Sequence, residues 1–247
     1  MVHKFQFFCT PFGEERTIHV YLPRGYHTSA ERYPVVYMFD GQNLFADSDA
    51  TYGTCWQLAD YLDHYWKGII VVGMECSHHG NDRLWEYSPY NITSRTFGRI
   101  NGTGSKTMEW LVGELKPFVD THYRTWWHRE ATAIGGSSMG GVMSLFGVLR
   151  YNHIFSKAAV ISPAYFHKLQ EFTDEVDNNS IHPDTRVFFA WGSREDRRGY
   201  MRRYSTSLSE QLTALGVRTH LYRQTCGRHC EEDWAKQVPL WMPFLWE

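Results

Sequence analysis

The chain has 247 residues, enough for one sizeable hydrophobic core. Hydrophobic residues make up 43% and charged residues 21%, which excludes a disordered polar chain, and a formal net charge of −2 gives no electrostatic reason to bind nucleic acid or an anionic membrane surface. No segment approaches the roughly 18 apolar residues of a membrane span, and the apolar patch in the opening MVHKFQFFCTPFGEE is too short and interrupted for a secretory signal core.

In chain order, Lys4 to Thr10 and Arg16 to Leu22 are predicted as a first pair of strands, and Pro34 to Phe39 (PVVYMF) as a third, ended by Asp40-Gly41. Leu58, Leu62 and Trp66 recur at helical spacing within 56–66. Gly68 to Met74 (GIIVVGM) is a continuous apolar run, as expected of a strand covered on both faces. The polar stretch from Glu75 to about Ser105 is too long for an idle connection and is a candidate for binding residues. Leu111, Leu115, Phe118, Val119 and His122 then mark a helix that Pro117 should kink or end early. Glu130 to Ile134 is predicted as a strand, Gly140 to Tyr151 as a helix, and Lys157 to Ser162 and Arg186 to Trp191 as further strands. Met201, Tyr204, Leu208, Leu212 and Leu215 mark another helix, Arg218 to Arg223 a last strand, and a helix near Asp233 to Leu245 closes the chain. The alternation implies an α/β fold with a mostly parallel central sheet and helices on both faces. No repeat, low-complexity tract or linker interrupts it, so 1–247 reads as a single domain.

The chemistry concentrates in Gly135-Gly136-Ser137-Ser138-Met139-Gly140-Gly141, where G-x-S-x-G is met in only one register, with Ser138 at its centre. Such a pattern arises by chance in roughly one chain in ten of this length. Here an apolar strand ends just before it and a helical pattern begins just after, which is the sharp strand–turn–helix that exposes a nucleophilic hydroxyl. A serine hydroxyl needs a histidine base, and the base needs an acid to fix its tautomer. In α/β-hydrolases the chain order is serine, acid, histidine, so the partners must follow Ser138. Of His153, His167, His182, His220 and His229, the last lies in a loop beyond the final strand, where catalytic residues of parallel sheets gather. The acid should follow the Arg186–Trp191 strand, where Glu195 and Asp196 both qualify on position. The oxyanion donors expected are the backbone N–H of Met139 and that of Gln42 in the DGQN loop.

With these residues in place, the chain resembles the putative-esterase family of α/β-hydrolases, which includes feruloyl and acetyl-xylan esterases, siderophore trilactone esterases, S-formylglutathione hydrolases and mycolyltransferases. The resemblance runs from about Arg16 to the C-terminus. It rests on VVYMFDGQNLF, RLWEYSPY, ELKPFVDTHYRT, AIGGSSMGG, FSKAAVISPA, WGSRED and GRHCEEDW, in that order. It implies a serine esterase acting on small acyl or aryl esters, needing no metal or organic cofactor. It favours Glu195 over Asp196 as the acid, through a G-x-x-E string, and matches His229 followed by Trp234. Acyl transfer with the same triad, and a non-catalytic binding protein on the same fold, are the alternatives.

Asn43, Arg83, Trp85 and Tyr87 either line a substrate pocket or brace the loop against the core. His78-His79 reads as loop rather than metal site, because adjacent side chains in an extended segment point opposite ways. The scattered cysteines Cys9, Cys55, Cys76, Cys226 and Cys230 read as reduced thiols of a cytoplasmic protein, and Cys226 with Cys230 lacks the second pair a zinc site needs. Trp241 and Trp246 are expected to pack a helix and to be available to an interface between copies. The partner expected is a small-molecule ester.

Overall fold

A computed structural model of the chain describes residues 1–65, 68–94 and 96–247. Among these, strands β1 (Val2–Cys9), β2 (Glu14–Tyr21), β3 (Val35–Phe39) and β4 (Ile70–Met74) are followed by a short hairpin of β5 (Ile92–Ser94) and β6 (Gly98–Ile100). Strands β7 (Thr132–Ser137), β8 (Lys157–Ile161), β9 (Arg186–Gly192) and β10 (Arg218–Gln224) follow. Every strand outside the hairpin joins one eight-stranded sheet in the order β1-β2-β4-β3-β7-β8-β9-β10. From β4 across to β10 all neighbours are parallel, and β2 alone runs against both of its neighbours.

The apolar runs explain this sheet. In β3, Val35, Tyr37 and Phe39 turn to one face and Val36 and Met38 to the other, and both sets are buried. Such a strand has no solvent face, so alternation of polar residues is lost. One face is covered by a helical run over 104–122 and by α5 (Met139–Arg150), α6 (Leu169–Asn178) and α7 (Tyr200–Ala214); the other is covered by α1 (Leu58–Tyr65), α8 (Glu231–Ala235) and α9 (Val238–Trp246). The mostly parallel sheet with helices on both faces is therefore as expected.

Several expectations need correction. Pro117 does not end its helix. The chain runs from α3 (Gly104–Trp110) through a π-helical turn, Leu111–Leu115, into α4 (Lys116–His122). Lys116 N–H bonds Leu111 O, five residues back, and this wider turn takes up the proline, whose nitrogen has no hydrogen to give. Glu130 is not in a strand but in a 3-10 turn, Arg129–Ala131, and β7 runs on to Ser137. Trp56 lies before its helix, and Trp66 lies outside the described residues. The C-terminal helix is two helices, α8 and α9, broken at Lys236-Gln237 just before Pro239 takes the first turn of α9. Trp241 is 0% exposed, so it packs the core and is closed to any interface; Trp246 is half-buried. The stretch after β4 folds into α2 (Asp82–Glu86) and the β5–β6 hairpin, and α6 had no clear signal in the sequence.

Candidate active site

Ser138, Ser162, Glu195, His229 and the Asp40 loop all follow C-terminal ends of parallel strands, where the loops of such a sheet converge. Ser138 sits between β7 and α5 with φ 57 and ψ −118, a conformation that costs a non-glycine residue energy and must be held by its surroundings. The glycines around it are required by contact. A Cβ on Gly136 would lie 2.9 Å from the Gly140 backbone, one on Gly140 2.9 Å from the Phe39 Cβ, and one on Gly141 2.6 Å from Ile161 O. Ser138 N–H bonds Ile161 O at 2.9 Å, and Ala164 N–H bonds Ser138 O at 3.1 Å, so the turn is pinned to the end of β8.

His229 Nε2 lies 2.9 Å from Ser138 Oγ, and His229 Nδ1 is hydrogen-bonded to Glu195 Oε2. With its proton on Nδ1, facing the carboxylate, the ring can accept a hydrogen bond from the serine hydroxyl at Nε2. The loops of Glu195 and His229 are locked together: Gly192 lies so close to Gly227 that a Cβ there would be 2.3 Å from Gly227 O, and Arg194 N–H bonds Gly227 O at 2.9 Å. Asp233 holds the histidine loop by accepting from both the N–H and the Nε of Arg228 at 2.9 Å.

Asp196 does something else. Its two oxygens accept the N–H groups of Met201 (3.0 Å) and Arg202 (2.9 Å), so it caps the first turn of α7. The two carboxylates that sequence position could not separate thus face different ways.

Glu195 has two further partners on Oε1: the Gly192 N–H, and the Ser162 hydroxyl at 2.7 Å. Ser162 in turn accepts the indole N–H of Trp234 at 2.9 Å, and the Trp234 ring stands edge-on to His229 with centroids 4.9 Å apart. Ser162 is fully buried with φ 44. In the sequence Ser162 stands only as the end of a strand, and its place beside the carboxylate emerges on folding. Its one sequence signal is its position at the C-terminal end of a predicted parallel strand.

Met139 is the first residue of α5, whose first-turn N–H groups have no intrahelical acceptor. In the Asp40 loop, Asn43 N–H bonds Asp40 O and Leu44 N–H bonds Gly41 O, and neither bond uses the Gln42 N–H. Gly41 is packed so tightly on β4 that a Cβ would meet Gly73 at 2.4 Å. Asp40 takes the left-handed conformation (φ 58), which aspartate tolerates better than most residues, and Arg83 grips its carboxylate with two bonds of 2.6 and 2.7 Å.

Of Asn43, Arg83, Trp85 and Tyr87, three are braces and one is exposed. Arg83 is committed to Asp40; Tyr87 is buried edge-on against Phe39 at 4.9 Å. Asn43 is buried, taking the Thr51 N–H at 2.9 Å and donating to Glu231 at 3.1 Å. These three brace the Asp40 loop. Trp85 is exposed. Glu231 itself is buried beside the site, and that burial raises its carboxyl above the usual range.

Among the described residues, no three of His, Cys, Asp and Glu come together as a metal site. His78 and His79 are both exposed, and His78 bonds Glu75 at 2.8 Å. All five cysteines are free, and burial pushes the Cys9 thiol up to about 12 and the Cys55 thiol up to about 11. Among the described residues no helix is long and apolar enough to cross a membrane. A cavity of about 950 Å³ touches Tyr33, Pro34 and Ala131 at the opposite, N-terminal ends of the strands, away from Ser138.

Comparison with known proteins places the chain among relatives. A family model described as "Putative esterase" matches residues 10–243. Over 185 residues the chain is 26% identical to the uncharacterized protein YbbA of Bacillus subtilis, covering 74% of this chain and 70% of that one. Over 166 residues it is 26% identical to esterase Rv1288 of Mycobacterium tuberculosis, covering 65% of this chain but only 32% of that protein. In three dimensions the siderophore hydrolase EstA from Aspergillus nidulans superposes with a TM-score of 0.73 at 18% identity, over 96% of this chain and 93% of that one. The fold is thus that of the α/β-hydrolase-like esterases.

Proposed function

From the premise that the chain belongs to the Putative esterase family, we propose that it hydrolyses carboxylic esters through an acyl-enzyme on Ser138, with His229 as base and Glu195 as acid. The reading rests on one observation above all: the unbroken hydrogen-bonded chain from Ser138 Oγ through the His229 ring to Glu195. Ser138 Oγ attacks the ester carbonyl as its proton passes to His229 Nε2. The carbonyl oxygen becomes an oxyanion facing the N–H groups of Met139 and Gln42, which are worth most where charge develops. His229 then gives its proton to the departing alcohol. A water, losing its proton to the same nitrogen, attacks the acyl-enzyme, and the acid product leaves as Ser138 regains its hydrogen. Glu195 keeps Nε2 aimed at the serine and balances the imidazolium charge. The substrate class proposed is small acyl or aryl esters, in keeping with the family, and the free thiols suit work in the reducing cytoplasm.

Hydrolysis of p-nitrophenyl acetate tests this. Ser138→Ala should lower kcat by at least about 10³-fold, and Glu195→Gln by about 10³–10⁴-fold. Asp196→Asn should change kcat less than about threefold, since that carboxylate only caps a helix. Equal rates for wild type and Ser138→Ala would overturn the nucleophile; a larger loss in Asp196→Asn than in Glu195→Gln would overturn the acid.

A further inference from the structure

Beside the triad lies a second concavity of about 360 Å³, walled by Tyr165, Phe166, His167, Tyr200, Arg197 and Arg198. It adjoins the reacting centre on two sides. Ala164 lines it and donates its N–H to Ser138 O, and Glu195 lines it while bonding His229. Its volume is more than twice the roughly 150 Å³ that holds a benzene ring. Phe166 and His167 both have positive φ, 44 and 62, so this wall is held in a conformation that side chains seldom adopt.

The charge around this pocket is net positive, although Glu195 and Asp196 also line it. Residues 194–203 (REDRRGYMRR) carry five arginines and two carboxylates in a chain whose net charge is −2. Both carboxylates are fully engaged, Glu195 by His229, Ser162 and Gly192, and Asp196 by the first turn of α7. Among the described residues, none of Arg194, Arg197, Arg198, Arg202 and Arg203 forms an ion pair. Arg203 instead lies over the rings of Tyr200 and Tyr204, two residues that line the pocket, at 5.1 and 5.3 Å. A guanidinium presents a planar fork that matches a carboxylate or phosphate.

We infer that this pocket is the specificity subsite of the esterase proposed above, and that it takes the anionic end of an ester carrying a carboxylate or phosphate remote from the scissile bond, held by Arg197 and Arg198. The aromatic walls would pack the apolar body that joins anion to ester.

The test compares matched esters differing only in that charge: phenyl hydrogen adipate against phenyl hexanoate for an anion on the acyl side, and acetylated hydroxyphenylpropionate against its primary amide for one on the alcohol side. At low salt, kcat/KM should favour the anionic member of at least one pair by about tenfold or more, and the ratio should shrink as salt rises to about 0.5 M. Which pair responds tells which half of the ester occupies the subsite. The Arg197→Gln/Arg198→Gln double variant should bring the ratio to within about twofold of one, and the Arg197→Lys/Arg198→Lys variant should retain part of it, with melting temperatures confirming that both are folded. Ratios near one in both pairs for the wild type, or a ratio unchanged in the glutamine variant, would overturn the inference. Failure to hydrolyse any of the four esters in a Ser138-dependent way would instead overturn the esterase reading on which it rests.

Discussion

Replacing Ser162 by alanine removes one hydroxyl from the centre of the site and nothing else. In the structure that hydroxyl donates to Glu195 Oε1 at 2.7 Å and accepts from Trp234 Nε1 at 2.9 Å, with no exposure to water. Loss of a hydrogen bond to a charged acceptor costs about 1.5–3 kcal/mol, and leaving the indole N–H buried without an acceptor costs about 1–3 kcal/mol. Urea unfolding should therefore show Ser162→Ala destabilised by about 2.5–6 kcal/mol, less whatever local relaxation recovers. Catalysis should fall less than on losing the acid, because Glu195 keeps the Gly192 N–H and its bond to His229. A kcat about 10–100-fold lower with KM little changed is expected, as a loosened Glu195 misaims His229. Trp234→Phe separates the two contributions. In that background the orphaned indole no longer exists, so Ser162→Ala should cost about 1–3 kcal/mol less than it does in the wild type. Additive costs in the double variant, or a Ser162→Ala protein with wild-type kcat and stability, would refute the linkage from Trp234 through Ser162 to Glu195.

Other outcomes follow from contacts elsewhere. Gly192→Ala would drive a Cβ to 2.3 Å from Gly227 O, so it should part the acid and histidine loops and lower kcat by about 10²-fold or more; an active, stable variant would show that the loops need not touch. Arg83→Met would leave the Asp40 carboxylate buried without its partner, at a cost of about 3–5 kcal/mol, and should loosen the Asp40 loop; urea unfolding and kcat read the two effects. Lys157 is buried at the start of β8, and that burial lowers its pKa from 10.5 to about 8. Between about pH 8 and 10.5 the unfolded chain then binds more protons than the folded one, so stability should rise with pH through that window, by at most about 3 kcal/mol relative to Lys157→Met. A difference between the two proteins that stays flat or falls over the same window would contradict this.

The parts of the site legible in the sequence are those that local patterning encodes. Ser138 is readable because strand, turn and helix follow one another within a dozen residues, and the glycines that the turn needs lie two positions either side of it. His229 is readable from chain order and its loop. Side-chain direction within a loop is not: Glu195 and Asp196 are neighbours, yet one meets His229 and the other caps α7. Contacts made by folding are equally hidden. Ser162 and Trp234 are 72 positions apart, and Asp40 and Arg83 are 43 apart, so neither pair leaves a mark at any fixed spacing. The same limit applies to Asn43, Arg83 and Tyr87, which brace the Asp40 loop, a role visible only once their partners are in place. Pro117 shows the opposite case: the local rule allowed a kink or an early end, and packing of Leu111, Leu115 and Val119 into the core carries the helix through by way of a π turn.

The central claim is that Ser138 is the nucleophile, and active-site labelling tests it most directly. A fluorophosphonate, which phosphonylates an activated serine, should abolish esterase activity at one equivalent bound, and tandem mass spectrometry should place the adduct on Ser138 and not on its neighbour Ser137. Ser138→Ala should take no label. An adduct on Ser137 or any other residue, or activity that survives complete modification of Ser138, would contradict the account.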